Sequence, residues 1–224
     1  MSNLKGWIGE IKTVFALWLQ LDSRKYKQFH NLIIPGWNGT AQIDHLVVSE
    51  YGLFIVESKN KSGWIFGSED GANWTQSLFK NNYPFQNPLR QTYRQKKVLA
   101  RFLNLEDSAI HVVIYFVGNC KFKTSMPVNV IRAGLGRYIK RFRDVVLSQE
   151  QMSRIVNELE LHMNQSTLRQ SDHVRSLRRR RSSNTVCPSC GASLRLKVAR
   201  TGSSRGTKFL GCEAYPKCRF TKSA

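Results

Sequence analysis

The order of apolar and polar residues along the chain predicts a domain in which helices and strands follow one another. Near the N-terminus, apolar residues at helical spacing predict an amphipathic helix over about residues 4–21, with a stripe formed by Ile8, Ile11, Val14, Phe15, Trp18 and Leu19. A strand is expected over residues 29–34. Two apolar runs, residues 46–48 and 53–56, then flank the turn-like Ser49-Glu50-Tyr51-Gly52 and predict a β-hairpin.

The elements after the hairpin alternate in the same way. Segments around Trp64 and Trp74 are expected to form two short strands. Asn87-Pro88 opens a helix because Asn caps a helix and Pro suits its first turn. The remaining predicted elements are a buried strand over 110–117, a strand near 128–131, a short basic helix over 137–142, and a helix from the capping box of Ser148 and Gln151 to about 163. This order predicts an α/β domain that ends near residue 165.

Positive charge increases towards the C-terminal end of the chain. The 224 residues carry a net charge of +20, of which +8 lies in residues 1–165, +5 in 166–186 and +7 in 187–224. Such an excess favours a polyanionic partner, and its uneven placement favours nucleic acid over a general role in solubility. Charge alone leaves RNA as open as DNA.

Residues 166–186 differ from their neighbours because they lack apolar periodicity. They contain four successive arginines, Arg178, Arg179, Arg180 and Arg181, and a block of like charges stays unfolded on its own. The segment is predicted to be a basic linker. It is either a solvated tether or an arm that binds phosphate.

The chain contains no apolar run that approaches the roughly 20 residues of a membrane span. Residues 13–21 resemble the core of a signal peptide, but no small-residue cleavage site follows and their helical spacing favours an amphipathic helix. We therefore expect a cytoplasmic, nucleoid-associated protein that has no membrane partner.

Asp44, Glu57 and Lys59 stand out because the predicted hairpin brings them onto one face. A two-residue loop at Glu50 and Tyr51 sets Asp44 opposite Glu57, and opposed side chains lie about 5 Å apart. Lys59 projects from the same face as Glu57 because side chains alternate along a strand. The plainer interpretation is a surface Asp beside an edge Glu–Lys pair.

This triplet suits the chemistry of phosphodiester hydrolysis. Two carboxylates provide hard oxygen ligands for Mg²⁺ or Mn²⁺, and such an ion stabilises phosphoryl oxygens and lowers the pKa of water. A nearby lysine neutralises the charge that develops. His45 must face the opposite side of its strand, so a core or surface role is favoured over metal binding. Trp37, Trp64 and Trp74 are expected to pack in the core or in loops, with stacking on bases as the alternative.

Four of the five cysteines lie after residue 186, which indicates a metal site. Cys187, Cys190, Cys212 and Cys218 have the spacing C-x₂-C-x₂₁-C-x₅-C, and four thiolates suit a structural, tetrahedral Zn²⁺. A segment of 38 residues buries little core, so the metal is expected to supply its folding energy. Cys120 is interpreted as a small buried apolar residue.

A set of short motifs lies along the first half of the chain: Gly9-Glu10, Gly39, Gln42-Ile-Asp44, the run from Tyr51 to Asn60, Ser62-Gly63, Trp74, and Asn87-Pro88-Leu-x-Gln91. In this combination they resemble the nuclease-related domain, which is similar to a divergent branch of the PD-(D/E)xK nuclease superfamily. The resemblance implies that Asp44, Glu57 and Lys59 are catalytic, with Glu10 as a further acid, Gln91 on a helix facing the site, and Gln42 as a weaker candidate. Ser58 departs from the family, which more often has an apolar residue there.

The C-terminal segment resembles the C4 zinc finger of bacterial type IA topoisomerases. Cys-Pro-x-Cys-Gly191, Gly206-x-x-Phe209-x-Gly-Cys212 and Tyr215-Pro-Lys-Cys218 carry this resemblance. It implies DNA binding, including single-stranded DNA. The implied stacking residues are Phe209, Tyr215 and Phe220, and the implied phosphate contacts are Arg195, Arg205, Lys208, Lys217 and Arg219.

Together these patterns predict a two-domain DNA-processing or repair protein. The expected fold is a restriction-endonuclease-like mixed α/β sheet flanked by helices over residues 1–165, a basic linker over 166–186 and a small zinc-ribbon-like domain over 187–224. The expected activity is Mg²⁺- or Mn²⁺-dependent hydrolysis of DNA. The alternative is a non-catalytic DNA-binding accessory protein with a degenerate nuclease fold.

Overall fold

The computed structural model describes residues 2–202, 204–216 and 218–224, with side chains from residue 9 onwards. The described chain forms two compact units. Unit 1 comprises the chain up to Leu32 together with Gln42–Thr167, and unit 2 comprises Ile33–Ala41 and Leu168–Ala224.

Helices and strands alternate through most of the described chain. The helices are α1 (Ser2–Gln20), α2 (Pro88–Phe102), α3 (Leu135–Ile139), α4 (Gln149–Gln165) and α5 (Gln170–Ser182). The strands are β1 (Lys27–Gly36), β2 (Gly39–Ser49), β3 (Gly52–Lys59), β4 (Gly63–Phe66), β5 (Asn73–Leu78), β6 (Asn81–Gln86), β7 (Ile110–Phe116), β8 (Cys120–Phe122), β9 (Val130–Ile131), β10 (Leu194–Val198), β11 (Lys208–Cys212) and β12 (Thr221–Ser223). The expected α/β class with a mixed sheet is confirmed.

A five-stranded mixed sheet has the order β1-β2-β3-β7-β9. Strand β3 pairs antiparallel with β2 and parallel with β7, which leaves β3 central and buried. Leu17 of α1 and Leu135 of α3 pack with Phe54 and Val113 on one face of the sheet. Helix α2 packs against β3 and β7. A second sheet, β6-β5-β4-β8, contributes Ile65 and Trp74 to a separate apolar cluster.

Helix α1 has the predicted extent but presents the opposite face to the sheet. Gly9, Thr13 and Leu17 are buried, whereas Ile11, Phe15, Trp18 and Leu19 are between 46% and 65% exposed. Most of the described part of the predicted apolar stripe is therefore exposed. The narrow face packs instead because Gly9 lets the helix approach closely: a Cβ there would lie 2.8 Å from the Asn60 Cβ.

Helix α2 begins at the predicted cap. The Asn87 side chain accepts a hydrogen bond from the Leu89 amide at 3.0 Å, and Pro88 occupies the first turn. The same side chain is fully buried and donates to three backbone carbonyls, those of Ser68, Glu69 and Gly71. Asn87 therefore starts α2 and also fixes the loop before β5.

Residues 170–182 form helix α5, although no regular structure was expected there. The helix is held within unit 2 by Thr40, whose hydroxyl lies 2.9 Å from His173 Nδ1 and 3.1 Å from Ser176 Oγ. Arg180 donates to the Thr40 carbonyl at 2.6 Å. These contacts explain why the segment is helical and not unfolded, since they compensate for the repulsion between successive arginines. The domain limits inferred from the sequence stay predictions.

No helix among the described residues combines the length and the apolar character that crossing a membrane requires.

Replacing Asn87 by alanine tests the capping arrangement. The variant loses the cap and three buried donor contacts, so we expect the free energy of unfolding to fall by about 2 kcal/mol or more. Urea denaturation measures this loss. Asn82→Ala on the exposed strand β6 is the matched control, and an equal effect of the two substitutions would contradict the assigned role.

Candidate active site and nucleic-acid interface

The hairpin of β2 and β3 has the predicted register. Its loop is Glu50-Tyr51, and pairing runs from Ser49↔Gly52 to His45↔Val56. Asp44 and Glu57 continue this register by one step, on the face opposite to Val47 and Phe54. The two carboxylates are therefore brought to one face, as the sequence predicted.

Glu57 is the buried centre of a polar network. Its side chain is 2% exposed, and Oε1 accepts hydrogen bonds from Lys59 Nζ at 2.5 Å and from Gln91 Nε2 at 2.8 Å. Lys59 Nζ also donates to Gln91 Oε1 at 3.2 Å. The predicted partners Glu57, Lys59 and Gln91 are thus in direct contact. Burial of a carboxylate requires such donors because an unpaired charge is costly in an apolar interior.

Gln95 is a site residue that the sequence analysis missed. Its Nε2 donates to Glu57 Oε2 at 3.0 Å and to the Gln42 backbone carbonyl at 2.9 Å. Gln95 follows Gln91 by four residues, and residues at this spacing lie on the same helix face. That spacing was the available signal. Gln42 contributes its backbone through this contact.

Helix α1 brings a third acid to the site. Burial, and then the negative charge of Glu57, raise the pKa of the Glu10 carboxyl. Glu10 adjoins Gly9, whose missing side chain lets α1 approach Asn60 immediately after Lys59. The predicted association of Glu10 with the other carboxylates is consistent with this electrostatic coupling.

Asp44 lies in an environment that disfavours its negative charge. Burial is the largest cause, followed by the charge of Glu57, and together with the charge of Glu10 they raise the pKa of Asp44 to about 8. The Lys59 ammonium and a hydrogen bond from the Ser58 backbone act in the opposite direction. A cation placed beside Asp44 would act in the same direction as Lys59 and favour the ionised carboxylate.

The carboxylates of Asp44 and Glu57 have the chemistry of ligands for a divalent cation. Carboxylate oxygens suit Mg²⁺ and Mn²⁺. An ionised carboxylate has about four acceptor positions, of which Glu57 uses three for Lys59, Gln91 and Gln95. One position of Glu57 and the carboxylate of Asp44 are thus left for an ion.

The histidine and tryptophan side chains have mainly packing roles. His45 is 1% exposed on the opposite strand face, with Nδ1 3.0 Å from His30 Nδ1. Burial lowers the pKa of His45 to about 3, which keeps the ring neutral. Trp74 is buried, and the ring of Trp37 occupies the space that a Cβ on Gly191 would fill. Trp64, in contrast, is 50% exposed.

Four thiols in unit 2 form a cluster of the size that a zinc ion requires. The sulfur atoms of Cys187, Cys190, Cys212 and Cys218 lie within 4.8 Å of one another. The distances Cys187–Cys218 and Cys190–Cys212 are 3.7 and 3.3 Å between sulfur atoms. Two ligands of a tetrahedral zinc–sulfur site lie about 3.8 Å apart. The cluster therefore fits Zn²⁺, and the strands β10-β11-β12 carry or flank its ligands.

The basic residues of α5 divide into two groups. Arg178, Arg179 and Arg181 are exposed, but Arg180 is 4% exposed and donates to Thr40. The prediction of a phosphate contact by Arg180 is therefore corrected to a structural role. Lys222 is also structural, since its ammonium contacts the Asn184 side chain and three carbonyls at the end of α5.

The zinc ribbon exposes most of the predicted nucleic-acid residues. Lys208, Tyr215 and Arg219 are exposed, and Phe209 is half-buried. Lys197, which the sequence analysis did not single out, pairs with Phe209 in the β10–β11 register and lies 5.9 Å from the Tyr215 ring centre. Lys217 lies outside the described residues.

Two protein-family models match separate segments of the chain. The model of the nuclease-related domain matches residues 5–117. The chain belongs to the nuclease-related domain family. The model of the topoisomerase DNA binding C4 zinc finger matches residues 184–224, which supports DNA binding and a structural zinc ion. Both resemblances recognised in the sequence are confirmed.

One relative of this nuclease-related domain protein is an uncharacterized protein of Bacillus anthracis. The two are 34% identical over 161 residues, which cover 69% of this chain and 75% of the relative. No solved structure matches the chain.

The raised pKa of Asp44 predicts a pH dependence of the stability of the nuclease-related domain in the presence of a chelator. Between the usual value of 3.8 and the folded value of about 8, the folded state retains a proton that the unfolded state releases. The free energy of unfolding therefore falls as the pH rises through this range, by at most about 1.4 kcal/mol per pH unit. Urea denaturation across pH 4–9 measures this change in the free energy of unfolding.

Asp44→Asn removes this titration, so the variant should have a flatter pH profile. Glu160→Gln on the exposed face of α4 should leave the slope unchanged. An identical slope in Asp44→Asn and the parent protein would contradict the assignment.

Replacing one thiol tests the zinc site. Cys212→Ser should reduce bound zinc from one ion per chain to well below one and leave the ribbon sensitive to proteolysis, because the metal supplies much of its folding energy. Metal analysis of reduced protein measures the content. Cys120→Ser, in the buried cluster of unit 1, should retain zinc. Equal zinc content in the two variants would exclude the four-cysteine site.

Proposed function

We propose that the protein is a metal-dependent nuclease that hydrolyses phosphodiester bonds in DNA during DNA processing or repair. The convergence of Asp44, Glu57 and Lys59 supports this proposal most directly. Glu57 is buried and engaged by three side chains, and the pKa of Asp44 is raised by burial and by the neighbouring acids. A surface ion pair has neither property, whereas functional sites often have both.

The side chains around Glu57 have separable roles in this proposal. Gln91 and Gln95 donate to different oxygens of Glu57 and so fix the plane of its carboxylate. Lys59 is held by Glu57 and Gln91, where its ammonium can offset negative charge that develops on a phosphate. Mg²⁺ or Mn²⁺ held by Asp44 and Glu57 would stabilise the phosphoryl oxygens and lower the pKa of the attacking water.

Unit 2 would bind the nucleic acid and so keep it tethered to the chain that carries this site. The zinc ribbon and the exposed arginines of α5 provide positive charge, and Phe209 and Tyr215 provide rings on which bases can stack. Covalent linkage of a binding module raises the effective concentration of substrate for the other module. An association with the nucleoid follows from this proposal.

The second candidate function is non-catalytic binding of DNA. The observation that favours it is that three side-chain donors, those of Lys59, Gln91 and Gln95, already balance the buried Glu57 carboxylate. Such a network can stabilise a scaffold, and the DNA-binding unit would then act alone.

Cleavage assays on single-stranded, duplex and branched DNA, with Mg²⁺ or Mn²⁺, distinguish the two candidates. Asp44→Ala and Lys59→Ala should lower the rate by about 10²-fold or more, since each removes a group that stabilises the transition state. Affinity for DNA should change little because unit 2 is intact. RNA of the same sequence tests the choice of nucleic acid.

Glu160→Gln is the control for loss of an acidic side chain far along the chain from the triplet. Retention of full cleavage in either Asp44→Ala or Lys59→Ala would refute the assigned site. Absence of cleavage in the parent protein, combined with tight DNA binding, would favour the non-catalytic function.

A further inference from the structure

The second sheet of unit 1 presents aromatic side chains to solvent. Trp64 and Phe66 on β4 are 50% and 37% exposed, whereas Ile65 between them is buried. Because side chains alternate along a strand, both rings lie on the outer face of the sheet. Adjacent exposed aromatic residues on a surface often mark an interaction site.

Lysines accompany these rings. Lys123 Nζ lies 4.3 Å from the centre of the Trp64 ring, and Lys121 on β8 is the register partner of Trp64. Both lysines are exposed. A face that combines rings with positive charge is complementary to bases and phosphates, since bases stack on aromatic rings and lysines follow the backbone.

The tip of the β5–β6 hairpin adds a third aromatic residue. Phe79 and Lys80 form the two-residue turn between the partners Leu78 and Asn81. Phe79 is fully exposed, with a relative accessibility of 102%, and its φ of 53° lies in the left-handed region that bulky residues disfavour. This residue thus contributes no burial to the fold while occupying a strained turn, a combination associated with functional positions.

The end of the second sheet that contains Phe79 lies beside the segment that follows Lys59. Strand β4 begins four residues after Lys59, and Trp64 pairs with Ser77, two residues before Phe79. The segment between Lys59 and β4 also bonds to β5: Lys61 Nζ donates to Gln76 Oε1 at 3.2 Å, and Gln76 Nε2 donates to the Ser62 carbonyl. The end of the sheet that contains Phe79 is therefore tied to the segment that follows Lys59.

We propose that an unpaired strand of nucleic acid crosses this face, with a base stacked on Trp64 and with Phe79 inserted between bases at the hairpin tip. The backbone of that strand leads towards Asp44, Glu57 and Lys59. This inference rests on the proposed function for the role of the site, and it names unpaired nucleic acid as the substrate class. A perfect duplex keeps its bases stacked within itself, so it offers only its phosphates to this face.

Binding by the full chain in an Asp44→Asn background tests the proposal without cleavage of the ligand. Fluorescence anisotropy would compare labelled dT15 with an abasic oligonucleotide of equal length. Trp64→Ala and Phe79→Ser should each weaken binding of dT15 about five-fold or more, and binding of the abasic ligand should stay the same. Trp64→Phe should retain most of the affinity for dT15.

Trp18→Ala is the matched control, because Trp18 is 65% exposed and lies on α1, outside the strands that form the aromatic sheet face. Phe79 has no packing to lose, so Phe79→Ser reports on binding even where a Trp64 variant is unstable. Photocrosslinking with 5-iododeoxyuridine should label peptides that contain Trp64 or Phe79.

Unchanged binding of dT15 by both variants, an equal loss for dT15 and the abasic ligand, or crosslinks confined to the zinc ribbon would overturn the proposal. Its failure is separable from failure of the nuclease. Cleavage that depends on Asp44 but not on Trp64 or Phe79 would leave the activity without this binding face. Weakened binding in a protein that never cleaves would leave the face without the activity.

Discussion

Burial of the Glu57 carboxylate is the constraint that organises the site end of unit 1. A carboxylate that is 2% exposed needs donors in place of water, and Lys59, Gln91 and Gln95 provide them. This requirement determines which face of α2 approaches β3. It also makes the cap at Asn87 relevant to the site, because the cap determines where the helix begins. Local helix chemistry and the geometry of the carboxylate are thereby coupled.

Acidic and basic side chains are concentrated in different parts of the chain. Acidic side chains meet at the end of the hairpin, where burial and mutual repulsion raise the pKa of Asp44 and Glu10. Positive charge instead accumulates in residues 166–224, on exposed arginines and lysines. A polyanion is attracted to the basic segments, while the acidic site has a local preference for a cation. A nucleic acid would satisfy the first preference, and a cation held by the carboxylates would satisfy the second.

Unit 2 has little apolar core and depends on other interactions. Its four thiols are close enough for one zinc ion, and segment 33–41 contributes contacts through Trp37 and Thr40. Trp37 packs where Gly191 lacks a side chain, and Thr40 bonds to His173 and Ser176 of α5. A short segment from early in the chain therefore belongs to the same unit as the C-terminal ribbon. The C-terminal sequence by itself contains no indication of this.

The sequence by itself determined the order of elements, the hairpin register that brings Asp44 opposite Glu57, and the four-cysteine spacing. These features depend on residues close in the chain, where periodicity and turn chemistry act locally. The tertiary structure alone decided which face of α1 is buried, that Gln95 joins Gln91 at the carboxylate, and that α5 is helical. It also buries Arg180, whose guanidinium donates a hydrogen bond to the carbonyl of Thr40, 140 residues earlier in the chain. Such outcomes depend on which distant surfaces meet, and a residue's own neighbours in sequence do not specify them.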